Sequence, residues 1–200
     1  MEIRKAMEML GGNYRQFLTY VIINSPSHDK LTALRLAALS EKLGAEGQSE
    51  IAAIALETSL DNIHRETDSQ VNELRYMAVQ ILTKHKWSSA SAHVIRHFYL
   101  VQDEYLLDAA PKTVFLEAIS CLGAMGTFEC AQILALQLGY YNSRAEHSGE
   151  FDAETILAII GALGETGDKS AFDYLFYITY LNYPEQIKAA AREALDRLRW

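Results

Sequence analysis

The sequence predicts an all-α protein, an α-solenoid of antiparallel helix pairs with a period of about 40 residues, and three observations predict it. A Leu-Gly-x-x-Gly turn recurs as Leu43-Gly44-Ala45-Glu46-Gly47, Leu122-Gly123-Ala124-Met125-Gly126 and Leu163-Gly164-Glu165-Thr166-Gly167, each time between two apolar helical runs. Between the first two copies, Leu82-Thr83-Lys84-His85-Lys86 lacks the glycines but holds the phase, so the leucines step by 39, 40 and 41 residues. Apolar residues fall at helical spacing, as in Leu34, Ala37, Ala38 and Leu39, or Ile187, Ala190, Ala191, Ala194, Leu195 and Leu198, and no strand pattern competes.

The spacing predicts about eleven helices. A first, at roughly 2–10, stops at Leu10-Gly11-Gly12-Asn13 and belongs to a partial unit completed by the apolar run Tyr14 to Ile23, at roughly 13–23. The next pair spans roughly 29–43 and 48–64, either side of the first glycine turn. Helices at roughly 68–84 and 89–104 flank the degenerate turn, 111–123 and 127–141 the second glycine turn, and 152–164 and 168–182 the third. The last, at roughly 184–198, opens an incomplete unit, because Leu195 follows Leu163 by only 32 residues.

Local chemistry supports these boundaries. The first glycine of each turn is expected to supply the left-handed conformation that ends a helix, and the second to let the chain reverse. Asp168, Thr127 and Ser88 then stand where a side-chain oxygen caps the next helix. Ile51, Ala90, Cys130 and Ala171 occupy a position expected to face the partner helix. Eleven residues before the leucines Leu82, Leu122, Leu163 and Leu195 come Val71, Pro111, Asp152 and Pro184, three of them good helix openers. Half of the 200 residues are hydrophobic, and three prolines with eleven glycines leave no flexible linker, so one domain over 1–200 is expected.

The stretch Asp152 to Arg199 resembles HEAT-like repeats of the phycobilisome-lyase type. The segment from Thr155 through Ala162-Leu163-Gly164-Glu165-Thr166-Gly167-Asp168 is similar to that family's Ala-Leu-Gly-x-x-Gly-Asp turn, and Tyr183-Pro184 through Leu195 is similar to its next first helix. The resemblance implies a right-handed solenoid whose second helices line a concave surface. It also implies a brace between units, from an aspartate after the turn, here Asp168, to a basic residue in the first helix. Arg75 and Lys188 fit the basic position, while Phe115 and Ile156 replace it in the intervening copies, so packing there relies on apolar contact.

Such repeats serve as scaffolds, cofactor-attachment factors, metal enzymes and DNA glycosylases, so function has to come from the residues. The di-iron type carries His-Glu pairs, and no His-Glu dipeptide occurs here. The glycosylase type needs a basic cleft, whereas this chain has 18 basic and 26 acidic side chains, a net charge of −8 that argues against nucleic acid. Residues 1–100 balance, but 101–187 hold only Lys112, Arg144 and Lys169 against thirteen acids, which favours a cationic or weakly charged partner. A solvated face that aids solubility is the plainer reading of the same acids.

Eleven tyrosines concentrate in the second helices and just beyond, among them Tyr99, Tyr105, Tyr140, Tyr141, Tyr174, Tyr177, Tyr180 and Tyr183. Tyrosine offers apolar area with a polar tip at small entropic cost, which suits a peptide-binding groove. Tyr140, Tyr141, Tyr177 and Tyr183 are the candidates for partner contact; Phe172, Leu175, Phe176 and Tyr180 read as core. The connection Asn142 to Glu150, with Arg144, Glu146, His147 and Glu150, and the connection Gln102 to Ala110 read as edge insertions that carry contacts. Glu146 and Glu150 join the candidate partner-binding set.

Metal chemistry has one weak candidate, His93 and His97, four apart on one helix face. They match Ile133 and Gln137 in the next unit and read chiefly as boundary histidines; no metal, cofactor or catalytic residue is assigned. Cys121 and Cys130 read as buried thiols in a reducing compartment. The charged start Met1-Glu2-Ile3-Arg4-Lys5 and the lack of a twenty-residue apolar run predict neither leader nor membrane span. The cytoplasm is the default location, and a leader trimmed from the chain would mean export.

The sequence therefore predicts a non-enzymatic scaffold that binds a protein or peptide on a concave, tyrosine-rich, acidic surface. A lyase-like cofactor-attachment or metal-binding enzyme on the same scaffold is the alternative. A third is a homo-oligomeric assembly element, docking through Ile187, Leu195, Leu198 and Trp200 of the C-terminal helix.

Overall fold

The computed structural model describes residues 13–62 and 69–199, so the helix expected at 2–10 and Trp200 lie outside the described residues. Among the described residues the regular structure is helical and no strand occurs. The chain divides into two units, Met1–His85 and Lys86–Trp200.

In the first unit, α1 (Tyr14–Asn24) and α2 (Ser27–Leu39) lead through a 3-10 turn (Glu41–Leu43) into α3 (Gly44–Asn62) and α4 (Ser69–His85). The Asn13 side chain caps α1 by accepting from the Gln16 amide at 3.2 Å. Helix α1 packs on α2 and α3, and α2 on α3 and α4, so alternate helices touch as well as consecutive ones. Phe17, Leu18, Leu34, Ile51, Leu56 and Leu82 fill the space between. Gln48 bridges three helices: its amide donates to the Ala38 and Ser40 carbonyls at 3.3 and 3.1 Å, and its oxygen stands 2.8 Å from His85 Nε2.

In the second unit, a 3-10 turn (Ser88–Ala90) opens α5 (Ser91–Leu106), followed by α6 (Lys112–Met125), α7 (Phe128–Ser148) and α8 (Ala153–Thr166). A 3-10 turn (Lys169–Ala171), α9 (Phe172–Tyr177) and α10 (Glu185–Leu195) complete it. The first helices α6, α8 and α10 pack in succession, as do the second helices α5, α7 and α9. Pro111, Asp152 and Pro184 stand at the N-caps of the three first helices, and the small inward residues Ala90, Cys130 and Ala171 are fully buried, as their register requires.

The glycine turn works differently from the sequence expectation. The first glycine of each later copy, Gly123 or Gly164, lies inside its helix; the second, Gly126 (φ +63°) or Gly167 (φ +64°), is the left-handed residue that ends it. In the degenerate copy Lys86 holds the same position at φ 51°, so the turn geometry persists without glycine. The first copy does not form this turn. Leu43 ends a 3-10 turn, half-buried, and Gly44 opens α3.

Two boundaries also move. Helix α7 runs through the expected connection Asn142 to Glu150 as far as Ser148 and closes on Gly149, whose amide donates to the Ala145 carbonyl at 2.9 Å. Helix α9 is shorter than the expected 168–182. Beyond it the amides of Ile178, Thr179, Tyr180 and Leu181 each bond three residues back, a 3-10 winding that stops before Pro184. Ser88 is not a cap; Trp87 holds that position with no side-chain bond.

Candidate functional site

The second helices of the second unit carry exposed apolar residues, Tyr99, Leu136, Tyr140, Phe176 and Tyr177 among them. On α7, Leu134, Ala135 and Leu138 face inward while Leu136 and Tyr140, one turn apart, are exposed. Gly139 lies between these faces, and a Cβ there would stand 2.8 Å from Tyr174 Cε1, so the notch admits the Tyr174 ring and fixes α9 against α7.

On α9 the register decides what is exposed. The buried stripe runs Ala171, Leu175 and Ile178, at helical spacing, and the 3-10 turn beyond Tyr177 adds Leu181 three residues on. Phe176 and Tyr180 fall outside this stripe and are surface residues, 42% and 71% exposed, not core as their spacing with Phe172 and Leu175 suggests. Phe172 stacks on Phe176 at 5.5 Å between centroids, and Phe176 meets Tyr180 edge-to-face at 5.3 Å.

Tyr177 is exposed as expected and its hydroxyl donates to Glu146 Oε1 at 2.8 Å. That bond, and then burial, raises the phenol pKa. Glu146 lies in the last turns of α7, so the structure joins two predicted contact residues across two helices.

Tyr183 was expected at the surface and is instead core, 5% exposed. Its hydroxyl lies 3.2 Å from Asn142 Oδ1 and 3.3 Å from the Tyr141 carbonyl, and Phe151 meets its ring edge-to-face at 5.2 Å. Asn142 in turn donates to the Tyr174 carbonyl at 3.1 Å. These bonds hold Tyr183, directly before the Pro184 N-cap of α10, against α7, and burial pushes its pKa up to about 12.

Tyr140 and Tyr141 meet edge-to-face at 5.6 Å, Tyr140 exposed and Tyr141 half-buried. Tyr141, Arg144, Glu150, Phe151 and Asp152 line a recess of ≈ 250 Å³ at the α7–α8 corner. Arg144 pairs with Glu150 at 3.7 Å. Burial, and then the Asp152 carboxylate, raises the Tyr141 phenol pKa.

Below this corner lies a contact between first helices that sequence reasoning missed. Lys112 Nζ, at the start of α6, is 2.7 Å from Asp152 Oδ1 and 2.9 Å from Glu154 Oε2 at the start of α8. Asp152 also accepts from the Thr155 amide and hydroxyl at 3.3 and 2.9 Å. Burial opposes the charge on Lys112, but the two carboxylates prevail and raise its pKa to about 12. The forty-residue separation of a lone lysine from an acidic N-cap was the available signal.

His97 is buried and His93 half-buried on α5. Among the described residues no group of three or more His, Cys, Asp or Glu is placed to hold a metal ion. Cys121 and Cys130 are both free thiols and buried. In the last helix Ile187 is buried against its own chain and Leu195 is half-buried; beyond the helix Leu198 is buried as well, and the Arg199 amide donates to the Gly167 carbonyl at 2.8 Å. No described helix is long and apolar enough to cross a membrane. The chemistry the α7–α9 surface offers is aromatic faces, phenol hydroxyls and carboxylates. Comparison with protein-family models, with curated proteins and with solved structures returned no match.

Proposed function

We propose that the chain is a non-enzymatic scaffold of HEAT-like helix pairs whose second helices bind a protein or peptide segment. The observation that carries the reading is three large exposed rings within five residues, Phe176, Tyr177 and Tyr180, with Leu136 and Tyr140 also exposed on α7, the helix against which α9 packs. Isolated exposed apolar residues need no explanation, but a cluster of rings on packed helices is the composition of a contact surface. Tyrosine and phenylalanine lose little entropy when they dock, and the rigid α7–α9 contact pre-positions them.

A pull-down from the native source tests the reading, using the wild-type chain beside a Leu136→Ser, Tyr180→Ala double variant of equal helicity and thermal midpoint. A protein retained by the wild type and lost by the variant is the expected result. Equal retention by both, or retention of nothing by the wild type, overturns the proposal.

A further inference from the structure

The same face also carries the chemistry of its occupant, an inference that rests on the binding role proposed above. From Ser170 to Ile187 the sequence contains no Lys, Arg or His, while Asp173 and Glu185 supply negative charge. Asp173, Phe176, Tyr177 and Tyr180 are all exposed on α9 and the turn that follows it. The planes of Phe176 and Tyr180 stand 78° apart at 5.3 Å, two walls of a corner. The Glu146 carboxylate lies at the rim of this face, bonded to the Tyr177 hydroxyl.

An aromatic ring presents the negative end of its quadrupole on its face, so rings joined to carboxylates attract a cation and repel an anion. An apolar side chain would gain contact area but leave the carboxylates unanswered. Guanidinium answers both features: its plane stacks on a ring, its edge forks onto a carboxylate, and its weaker hydration lowers the cost of docking relative to an ammonium.

We infer that the exposed face of α9 and its following turn docks an arginine-bearing segment of a partner protein, with guanidinium stacked on the Tyr180 ring beside Phe176 and paired with Asp173 or Glu146. Partner side chains without positive charge then fall on Leu136 and Tyr140, the apolar part of the surface.

The test titrates the full chain with fluorescein-labelled peptides of alternating arginine and serine, and with the same peptide carrying citrulline, a neutral isostere, in place of arginine. A leucine–serine peptide is the apolar control. The arginine peptide is expected to bind, the citrulline peptide to bind about tenfold more weakly or less, and added salt to weaken the arginine peptide alone. Tyr180→Ala should weaken arginine-peptide binding about fivefold, and Tyr180→Phe should retain it, because the ring face rather than the hydroxyl is used. Asp173→Asn gives a second loss at a site outside the core. Equal affinity for the arginine and citrulline peptides, or indifference to both Tyr180→Ala and Asp173→Asn, overturns the inference. Binding of the leucine–serine peptide without preference for arginine overturns it as well and leaves the binding role of the surface standing; failure of the pull-down removes both.

Discussion

A Cβ built on Gly123 would stand 2.8 Å from both the Cα and the Cβ of Ala162, so α6 approaches α8 at a point where only hydrogen fits. The next pair repeats the arrangement, with Gly164 facing Ala194 of α10 at 3.2 Å. The glycines that follow Leu122 and Leu163 thus bring successive first helices together. Gly123→Ala gains about 1 kcal/mol of helix propensity but forces two backbones apart, and overpacking of this kind costs ~1–3 kcal/mol. A net loss is expected in chemical denaturation. Gly161→Ala, an exposed site on α8 with nothing within 4 Å, should raise stability by roughly 0.5–1 kcal/mol in the same assay. Equal effects at the two sites would remove the close approach as the reason for Gly123.

Gly167 supplies the other half of the turn. At φ +64° any side chain is strained, by about 1–2 kcal/mol, and a Cβ here would also press to 3.2 Å from the Arg197 carbonyl. Gly126 shares the conformation, at φ +63°, but has open space around it. Gly167→Ala is therefore expected to destabilise more than Gly126→Ala, with both losses visible as lowered denaturation midpoints and the difference between them reporting the contact with the C-terminal segment.

Tyr183 and Tyr177 separate structure from surface. Tyr183→Phe leaves the buried Asn142 side chain without its phenol partner, at about 1–3 kcal/mol, and Tyr183→Ala adds a cavity for a loss of roughly 3–5 kcal/mol. Tyr177→Ala should leave the thermal midpoint unchanged, because its hydrogen bond to Glu146 is exposed. Folding free energies from urea titration of the three variants check the ordering; a Tyr183→Ala variant as stable as the wild type would contradict the burial of this ring.

The contrast between those tyrosines marks the limit of what the residues alone disclose. The period, the turns and the openers Pro111, Asp152 and Pro184 are local signals, each tied to a backbone requirement at its own position, and they place nearly every described helix in unit two. The face a side chain takes depends on register against the neighbouring helix. Ala171, Leu175 and Ile178 form the buried stripe, which leaves Phe176 and Tyr180 outside it, and the apolar residues at 172, 175, 176 and 180 share a helical spacing that fits a second face equally well. Asn142 misled in the opposite direction. It was expected to start a connection, but its side chain is drawn inward to Tyr174 and Tyr183, so tertiary hydrogen bonds hold the helix through a residue of low helix propensity.

Lys112 links that corner to pH. Burial alone would raise the Asp152 carboxyl, but the bonds from Lys112 and Thr155 overcome it and hold the pKa below the usual value. A depressed carboxyl stabilises the fold above its unfolded pKa, about 3.9, and the contribution disappears as pH falls through the folded value. The raised lysine has the opposite window: its contribution is whole below the unfolded pKa, roughly 10.4, and is lost as pH rises through about 12. Between these limits both charges are intact, so Lys112→Met should cost a constant ~0.5–1 kcal/mol, a size set by side chains still 31% exposed and screened by solvent. The difference between wild type and variant, measured by urea unfolding from pH 7 downward, should shrink below about pH 4 as the carboxylates take up protons. A difference that stayed constant to pH 2 would assign the effect of Lys112 to packing of its methylene chain instead of to the ion pair with Asp152.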